Sequence, residues 1–493
     1  MRSDNHCAMR TIFMAHRRYP HPFPSIGANS RLITMWRTIL GICRIPTPTL
    51  KALAGTTFAA ITCICAGTAN AHSERDRADA EAQEAADAQP DYKHFDELVE
   101  PGLVTSFPGS TDSVLGDAGG LRSAMAKENV GLTLRSSNIF VTSLNDSGQP
   151  RSPQRYNGQR PTLQAASVTA LLAWRLDKLG LPDTTLTAGG MYYASSFRDN
   201  APSTVALRAL SIHHRAFGGK LEIKAGYLTN MYEYAGFFTG GSPVLAAGLS
   251  GVIPIQAGMS ADPVATPAVN ITLHGSGGKY VRAGIQRSMH PLGRGYDVEH
   301  NHNGFRFTMP EAKPLYLAET GVLRASTPGV LHRWLRVGGL YNESGYTRFD
   351  GRGTSTNQAA YAAADFQLTQ KDPSRPASGI YAGASAFWGN PSVNVFTQSY
   401  EARVYAIGPF PSRKRDAMSL KVSYNKFSEA ARRAQSLMDV HANADQTSIS
   451  GSYTAHLGKG LYATPSLSWV HNPSFIGRFN NALLSNITIF TIF

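Results

Sequence analysis

The chain has 493 residues, a formal net charge of +13 and four cysteines, Cys7, Cys43, Cys63 and Cys65. More than half of that charge, and all four cysteines, fall within the first 71 residues. The remainder therefore has no thiol for a disulfide or a cysteine-based metal site, and it lacks the strongly basic surface that nucleic-acid binding requires.

Residues 1–71 are predicted to be an export leader, with the signal peptide beginning at Met35. Basic residues follow Met35, an apolar run spans 52–67, and Ala69-Asn70-Ala71 has the small-residue spacing of a cleavage site. The apolar run is shorter than the ~20 residues that a membrane-spanning helix requires. We therefore expect cleavage after Ala71 and a mature protein that begins at His72; the alternative is an N-terminal anchor helix.

Residues 72–112 differ in composition from everything that follows. Alanine and acidic residues dominate 78–88, and that stretch contains no large apolar side chain. Such a composition cannot bury enough apolar surface to fold alone. We interpret 72–112 as a periplasmic linker, either disordered or helical, and 113–493 as the folded domain.

From about Val130 to Phe493 the pattern is that of β-strands. Short alternating runs recur between turns rich in Gly, Pro, Asn and Ser. In 221–227, 281–286 and 400–404 the apolar side chains fall on one face and the charged ones on the other. No later stretch has the composition of a membrane helix, so a membrane-spanning chain would have to cross as a closed antiparallel barrel. The residues after 112 accommodate ~16 strands of ~10 residues each with their connections.

The stretch 486–493 is predicted to be the strand that closes this barrel. It is uncharged, consists mainly of β-branched and aromatic residues, and ends on Phe493. An exposed edge of this kind would aggregate in a soluble protein, whereas in a closed barrel it pairs with the first strand. We expect loss of Phe493 to impair outer-membrane assembly more than synthesis. The alternative is a buried final strand of a soluble β-sandwich.

Charged residues on the polar faces are the candidates for contact with a solute. Arg and carboxylate side chains present several donors and acceptors, which can replace part of the hydration shell of a polar solute such as a sugar. Binding of this kind must stay weak, or the solute would not leave. The residues predicted to line a lumen and form such a site are Glu222, Lys224, Arg282, Arg306, Glu401 and Arg403.

No catalytic, cofactor or metal site is predicted. Glu299, His300 and His302 supply too few ligands for zinc, which takes three or four, and we expect them in a loop. The glycine-rich stretch 275–279 lacks the spacing of a phosphate loop, and we expect a hairpin turn there. There is no G-x-S-x-G motif, and paired carboxylates are scarce on the polar faces. The chain is therefore predicted not to be an enzyme.

Two parts of the chain carry a family resemblance. Leu115-Gly116-Asp117-Ala118-Gly119-Gly120-Leu121-Arg122 resembles the N-terminal signature of the carbohydrate-selective outer-membrane porin (OprB) family, although Ala118 replaces the usual Trp. The stretches 398–403, 408–410, 422–424 and 428–431, and the end of the chain from Pro465 onwards, are also similar to that family.

The resemblance implies a 16-stranded barrel, trimeric or monomeric, in the outer membrane of a Gram-negative bacterium. It also implies diffusion of monosaccharides or related small polar solutes through a weak site, with no nucleic-acid partner. A short helix over 118–128 is expected inside or beneath the barrel. The alternatives are a general or organic-acid-selective porin and, from a different class, a secreted β-rich binding protein or adhesin.

Overall fold

The computed structural model describes residues 92–103, 112–145, 162–194, 203–235, 252–477 and 481–493. The predicted leader, its cleavage site and the Ala- and acid-rich part of the linker lie outside these residues. Statements of fold below concern the described ranges.

The described residues form a closed antiparallel barrel of sixteen strands. Each strand pairs with its neighbours in sequence, and the last strand pairs with the first. The predicted all-β transmembrane architecture of about 16 strands is confirmed. The strands are β1 (Val130–Ser143), β2 (Thr162–Arg175), β3 (Thr184–Ala194), β4 (Thr204–Ala216), β5 (Leu221–Leu228), β6 (Thr266–His274), β7 (Lys279–Arg287), β8 (Pro314–Arg324), β9 (Arg333–Thr347), β10 (Thr354–Gln367), β11 (Gly379–Gly389), β12 (Phe396–Ile407), β13 (Ala417–Phe427), β14 (Asp445–Gly458), β15 (Leu461–His471) and β16 (Ala482–Ile492).

The two ends of the barrel differ in their connections. At the end where β1 begins and β16 ends, which we call the turn end, neighbouring strands are joined by short turns such as 217–220, 275–278 and 459–460. At the opposite, loop end lie the longer connections, including 229–265 and 288–313. The hairpin turn expected at 275–279 is present, between β6 and β7.

The helices are short, and none of those described forms part of the barrel wall. Among the described residues, none is both long enough and apolar enough to cross a membrane. The expected helix over 118–128 is present as a single 3-10 turn followed by a regular helix. The α-helices are α1 (Tyr92–Glu97), α2 (Leu121–Lys127), α3 (Val252–Gln256), α4 (Arg294–His300) and α5 (Glu429–Ser436).

Burial alternates along the strands as a period of two requires. On β13, Leu420 and Val422 are 57% and 43% exposed, whereas Lys421 between them is 2% exposed. On β7, Val281 is exposed and Arg282 is buried. The exposed apolar residues form the outer wall and the buried polar residues the inner wall, the arrangement of an outer-membrane barrel.

The connection between β5 and β6 folds back into the barrel. We call its two described parts, 229–235 and 252–265, the inward loop. Asn230 donates through its side-chain amide to Gln286 on β7, at 2.8 Å, and Arg336 on β9 donates to the Ala235 carbonyl at 2.7 Å. Both bonds run from the loop to side chains of the inner wall, so the loop lies inside the barrel.

An apolar cluster fastens the second part of the inward loop to the wall. The side chains of Ile253 and Met259 are fully buried against Leu315, Leu340 and Phe387 on the inner faces of β8, β9 and β11. Burial of apolar side chains stabilises by roughly 1.5–3 kcal/mol each. The inner wall is therefore a packed surface where the loop lies.

Candidate functional site

The residues that precede the barrel enter it from the turn end. Phe95 and Leu98 pack against Ala126 of α2 in a buried cluster. Three residues further on, the Pro101 carbonyl accepts a hydrogen bond from Lys224 Nζ at 2.9 Å. The segment 98–103 therefore runs along the inner face of β5.

Five charged side chains meet between this segment, the inner wall and the inward loop. We call them the β4–β5 cluster: Glu100, Arg208, Lys224, Glu233 and Asp262. Lys224 Nζ lies 3.0 Å from Glu100 Oε1 and 2.6 Å from Glu233 Oε1. Arg208 lies 3.6 Å from Glu100 and 3.7 Å from Asp262. Two cations from the wall thus meet three carboxylates, none of which is on a strand.

The ionisation of Glu100 follows from its neighbours. Burial of the carboxyl raises its pKa, but the charges of Lys224 and Arg208 outweigh this effect, and the net pKa of Glu100 lies below its ordinary value. Arg135 on β1 acts on the same carboxylate. Glu100 is therefore ionised at neutral pH and balances these cations.

A second cluster lies across the barrel, on β10, β12 and β13. We call Asp365, Glu401, Arg403 and Lys421 the β10–β13 cluster. Arg403 holds Asp365 through two parallel bonds of 3.1 and 2.6 Å and also donates to Glu401 at 2.8 Å. Lys421 Nζ lies 3.4 Å from Glu401. This cluster draws both of its cations and both of its carboxylates from the wall.

Gly383 on β11 has no side chain, and this makes the Arg403–Asp365 bridge possible. Gly383 pairs with Asp365 on one side and with Arg403 on the other. A Cβ atom at Gly383 would lie 2.5 Å from Asp365 Oδ1 and 2.8 Å from Arg403 Nε. The two side chains therefore meet in the space above this glycine.

Between the two clusters, guanidinium groups lie beside aromatic rings. The Arg336 guanidinium carbon is 3.3 Å from the centroid of the Trp334 ring. The hydroxyls of Tyr280 and Tyr361 donate to Glu319, at 2.8 and 2.6 Å. Aromatic faces next to fixed donors and acceptors suit a solute with both apolar faces and polar edges.

Five of the six predicted residues lie on the inner wall. Lys224, Arg282, Glu401 and Arg403 are all less than 8% exposed and take part in the contacts of the inner wall. Arg282 donates to Thr272 Oγ1 and to the Glu233 carbonyl. Glu222 lies nearer the turn end, 3.3 Å from both Arg215 and His274.

Arg306 does not follow the alternation that was expected of it. It lies in the irregular connection between α4 and β8, where its side chain is exposed and its amide donates to Asn301 Oδ1 at 3.0 Å. Gly304, with a φ of +78°, turns the backbone just before it. Period-two alternation applies only to extended strands, so it cannot place this residue on the inner wall.

The inner residues that were not predicted include Glu100, Arg208, Asp365 and Lys421. Lys421 alternates with Leu420 and Val422, so the same pattern indicates it. Arg208 and Asp365 are preceded by apolar runs, and Glu100 lies in an irregular segment. No local signal distinguishes these three.

The G-D-x-G-G-x-R motif lies at the seam between β1 and β16. Gly119 and Gly120 both have a φ of +68°, which favours glycine, and Asp117 accepts from the Ser123 amide at 3.0 Å. The turn orients Arg122, which donates to the carbonyls of Leu132 at 2.8 Å and Phe493 at 2.5 Å. In this structure the motif therefore connects α2 to β1 and to the residue that follows β16.

A further attachment of the pre-barrel residues lies beside the β14–β15 turn. Asp112 accepts from the Gly460 amide at 3.0 Å, from Arg415 at 2.7 Å and from the Tyr462 hydroxyl, and it lies 3.1 Å from His456 Nε2. Burial of the carboxyl raises its pKa, but these hydrogen bonds outweigh that effect and lower the pKa of Asp112 to about 2.

Comparison with known proteins identifies similar sequences and folds. The family described as "Carbohydrate-selective porin, OprB family" matches residues 183–489. The high-pH structure of Pseudomonas putida OprB aligns with a TM-score of 0.67 at 14% identity, covering 78% of this chain and 98% of that one. The low-pH structure of the same protein aligns with a TM-score of 0.51 at 13% identity and the same coverage. A search of curated protein sequences found no match.

Proposed function

Because the chain belongs to the carbohydrate-selective porin, OprB family, we propose that it lets monosaccharides and similar small polar solutes diffuse through a water-filled, weakly selective pore. The pore would cross the outer membrane of a Gram-negative bacterium. The short turns would face the periplasm and the longer loops the exterior, as in other outer-membrane barrels. The outer wall would contact lipid, and the barrel-assembly machinery would insert the chain.

The observation that carries this proposal is the pairing of charges on the inner wall. In the β10–β13 cluster, Arg403 and Lys421 are balanced by Asp365 and Glu401. A lumen with an excess of one charge would concentrate ions of the opposite sign. Balanced charges instead present donors and acceptors without a large net field, which favours uncharged polar solutes such as sugars.

The proposed solute contacts are weak because the inner-wall side chains already have partners. Arg403 is bonded to both Asp365 and Glu401, so a sugar hydroxyl would compete with, or supplement, bonds that exist. We propose that Glu222, Lys224, Arg282, Glu401 and Arg403 contribute to this site, with Arg306 near the mouth at the loop end. Weak and distributed contacts permit both entry and exit of the solute.

An organic-acid-selective or general porin is the second candidate. Arg282 and Arg336 both lie close to Glu319, whereas Glu233 acts on Arg282 and Asp365 on Arg336, so the sign of the local field depends on which of these charges faces the solute. A local excess of positive charge would favour a carboxylate-bearing solute. This candidate and the sugar pore predict different responses to the same two solutes.

Planar-bilayer recordings of the full chain purified in detergent test the proposal. We expect D-glucose to reduce the ion current in a saturable way and succinate to leave that reduction unchanged. Single alanine variants at the six candidate positions should include at least one with weaker glucose block and normal open conductance.

Other outcomes would assign the protein differently. Block by succinate without any effect of glucose would favour the organic-acid pore. A protein that stays in solution without detergent, forms no channels and shows no heat-modifiable migration on gels would be a secreted β-rich protein.

A further inference from the structure

We infer that Glu100, on the segment that precedes the barrel, is the counter-ion that keeps the β4–β5 side of the pore from selecting anions. The inference rests on the proposed pore function and concerns a residue outside the barrel wall. The segment 98–103 would then determine ion selectivity in addition to connecting α1 to the barrel.

In the β4–β5 cluster, the cations and the carboxylates come from different parts of the chain. The wall supplies only cations to the β4–β5 cluster, Arg208 and Lys224, and Arg135 on β1 acts on the same carboxylate. The carboxylates come from the segment 98–103 and from the inward loop. The wall by itself would therefore present an unbalanced positive patch at this point.

Glu100 is the carboxylate that joins the two wall cations. Its Oε1 lies 3.0 Å from Lys224 and its Oε2 lies 3.6 Å from Arg208. Within the cluster, Glu233 pairs only with Lys224 and Asp262 only with Arg208. With Arg135 counted, three wall cations face three carboxylates, Glu100, Glu233 and Asp262. If Glu100 lost its charge, three cations would face two carboxylates and the balance would become positive.

Because these groups are buried, their net charge should affect the ions that pass through the pore. The side chains of Arg208, Lys224 and Glu100 are 1%, 3% and 4% exposed, so bulk water screens them poorly. Fixed charges in a narrow, poorly screened passage change the local concentration of mobile ions. One uncompensated positive charge should thus raise the entry of anions relative to cations.

The pre-barrel segment is held at several points, which fixes Glu100 in place. Leu98 is buried with Phe95 against α2, and the Pro101 carbonyl accepts from Lys224. A neutral substitution at Glu100 should therefore remove the negative charge of the side chain. The packing of Leu98 and the hydrogen bond to the Pro101 carbonyl should keep the segment in its position.

The test is the reversal potential of the full-length protein in a planar bilayer under a KCl gradient. We expect Glu100→Gln to raise the chloride-to-potassium permeability ratio by roughly two- to fivefold, the effect of one uncompensated charge on local ion concentration. Glu100→Asp should stay near wild type because it keeps the charge. The matched control is Glu97→Gln, on the exposed face of α1, which should leave the ratio unchanged.

A second variant separates charge from loss of structure. Glu100→Gln combined with Arg208→Gln restores the balance of charges in the cluster, and it should return the permeability ratio towards wild type. If Glu100→Gln fails to assemble, Arg208→Gln alone should lower the chloride-to-potassium ratio, and adding Glu100→Gln to it should return the ratio to wild type; an unchanged ratio on adding Glu100→Gln would overturn the charge role.

The outcomes distinguish this inference from the proposed function. A wild-type ratio in Glu100→Gln, with glucose block intact, would overturn the role of Glu100 and leave the sugar pore standing. A shifted ratio in a channel that glucose never blocks would support the counter-ion and remove the sugar proposal.

Discussion

The β4–β5 cluster and the β10–β13 cluster neutralise their charges in different ways. In the β10–β13 cluster, Arg403 and Lys421 pair with Asp365 and Glu401, which are themselves wall residues. On β4–β5, Arg208 and Lys224 depend on carboxylates from the pre-barrel segment and the inward loop.

The two clusters therefore differ in how freely their charges can change. Charges that pair within the wall depend on the register of the strands. Removing one partner leaves a buried charge unpaired and destabilises the barrel. Charges paired with inserted segments can be rebalanced without altering strand pairing. We therefore expect stability effects from the β10–β13 cluster and selectivity effects from the β4–β5 cluster.

The largest expected effect is on Asp365. Asp365→Asn leaves Arg403 buried with only part of its partners, and breaking a buried ion pair costs about 4 kcal/mol. We expect a lower urea midpoint for loss of the heat-modifiable folded form. The control is Asp350→Asn, which removes a similar Arg–Asp pair from the exposed 348–353 loop and should change little. Equal effects of the two substitutions would contradict the role of burial.

Gly383 tests the same bridge without removing a charge. Gly383→Ala places a methyl group within 3 Å of both Asp365 Oδ1 and Arg403 Nε, and relieving this overlap should cost about 3 kcal/mol. The urea midpoint of the folded barrel is again the measurement. Gly451→Ala on β14, where the nearest atom to the added Cβ is 4.0 Å away, is the control and should be nearly neutral.

A substitution at Arg122 tests whether the pre-barrel residues also stabilise the barrel wall, at a place away from the pore. Arg122→Ala removes the bonds to the Leu132 and Phe493 carbonyls at the seam, a loss of about 2 to 3 kcal/mol for two bonds from a charged donor. We expect less folded protein on heat-modifiability gels and an unchanged permeability ratio. A changed ratio with wild-type stability would mean that the motif serves the pore.

The smallest effect expected is the pH dependence of the Asp112 attachment. Because the pKa of Asp112 is lowered to about 2 in the folded protein, its contribution is fully present above the ordinary value of 3.8. It is lost as pH falls from about 4 to 2, and it amounts to at most about 2 kcal/mol. Urea midpoints measured over this range should fall more steeply in wild type than in Asp112→Asn. Parallel curves would show that folding does not lower the pKa of Asp112.

The all-β barrel and the inner position of most candidate residues could be predicted from local pattern. Alternation in 221–227, 281–286 and 400–404 depends only on the geometry of an extended strand, which directs successive side chains to opposite faces. A charged residue among apolar neighbours on a strand must then avoid the lipid, so Lys224, Arg282, Glu401 and Arg403 lie inside. The same reasoning failed for Arg306 because that residue is not on a strand.

Local pattern is thus enough to predict the strands, their two faces and the pairing of β16 with β1. Which charges meet depends on the tertiary fold. Asp365 and Arg403 lie on strands separated by β11, and only barrel register sets them across Gly383. Glu100 reaches Arg208 and Lys224 because an irregular segment enters the lumen. Contacts between residues far apart in sequence depend on how the chain closes, and no local periodicity records them.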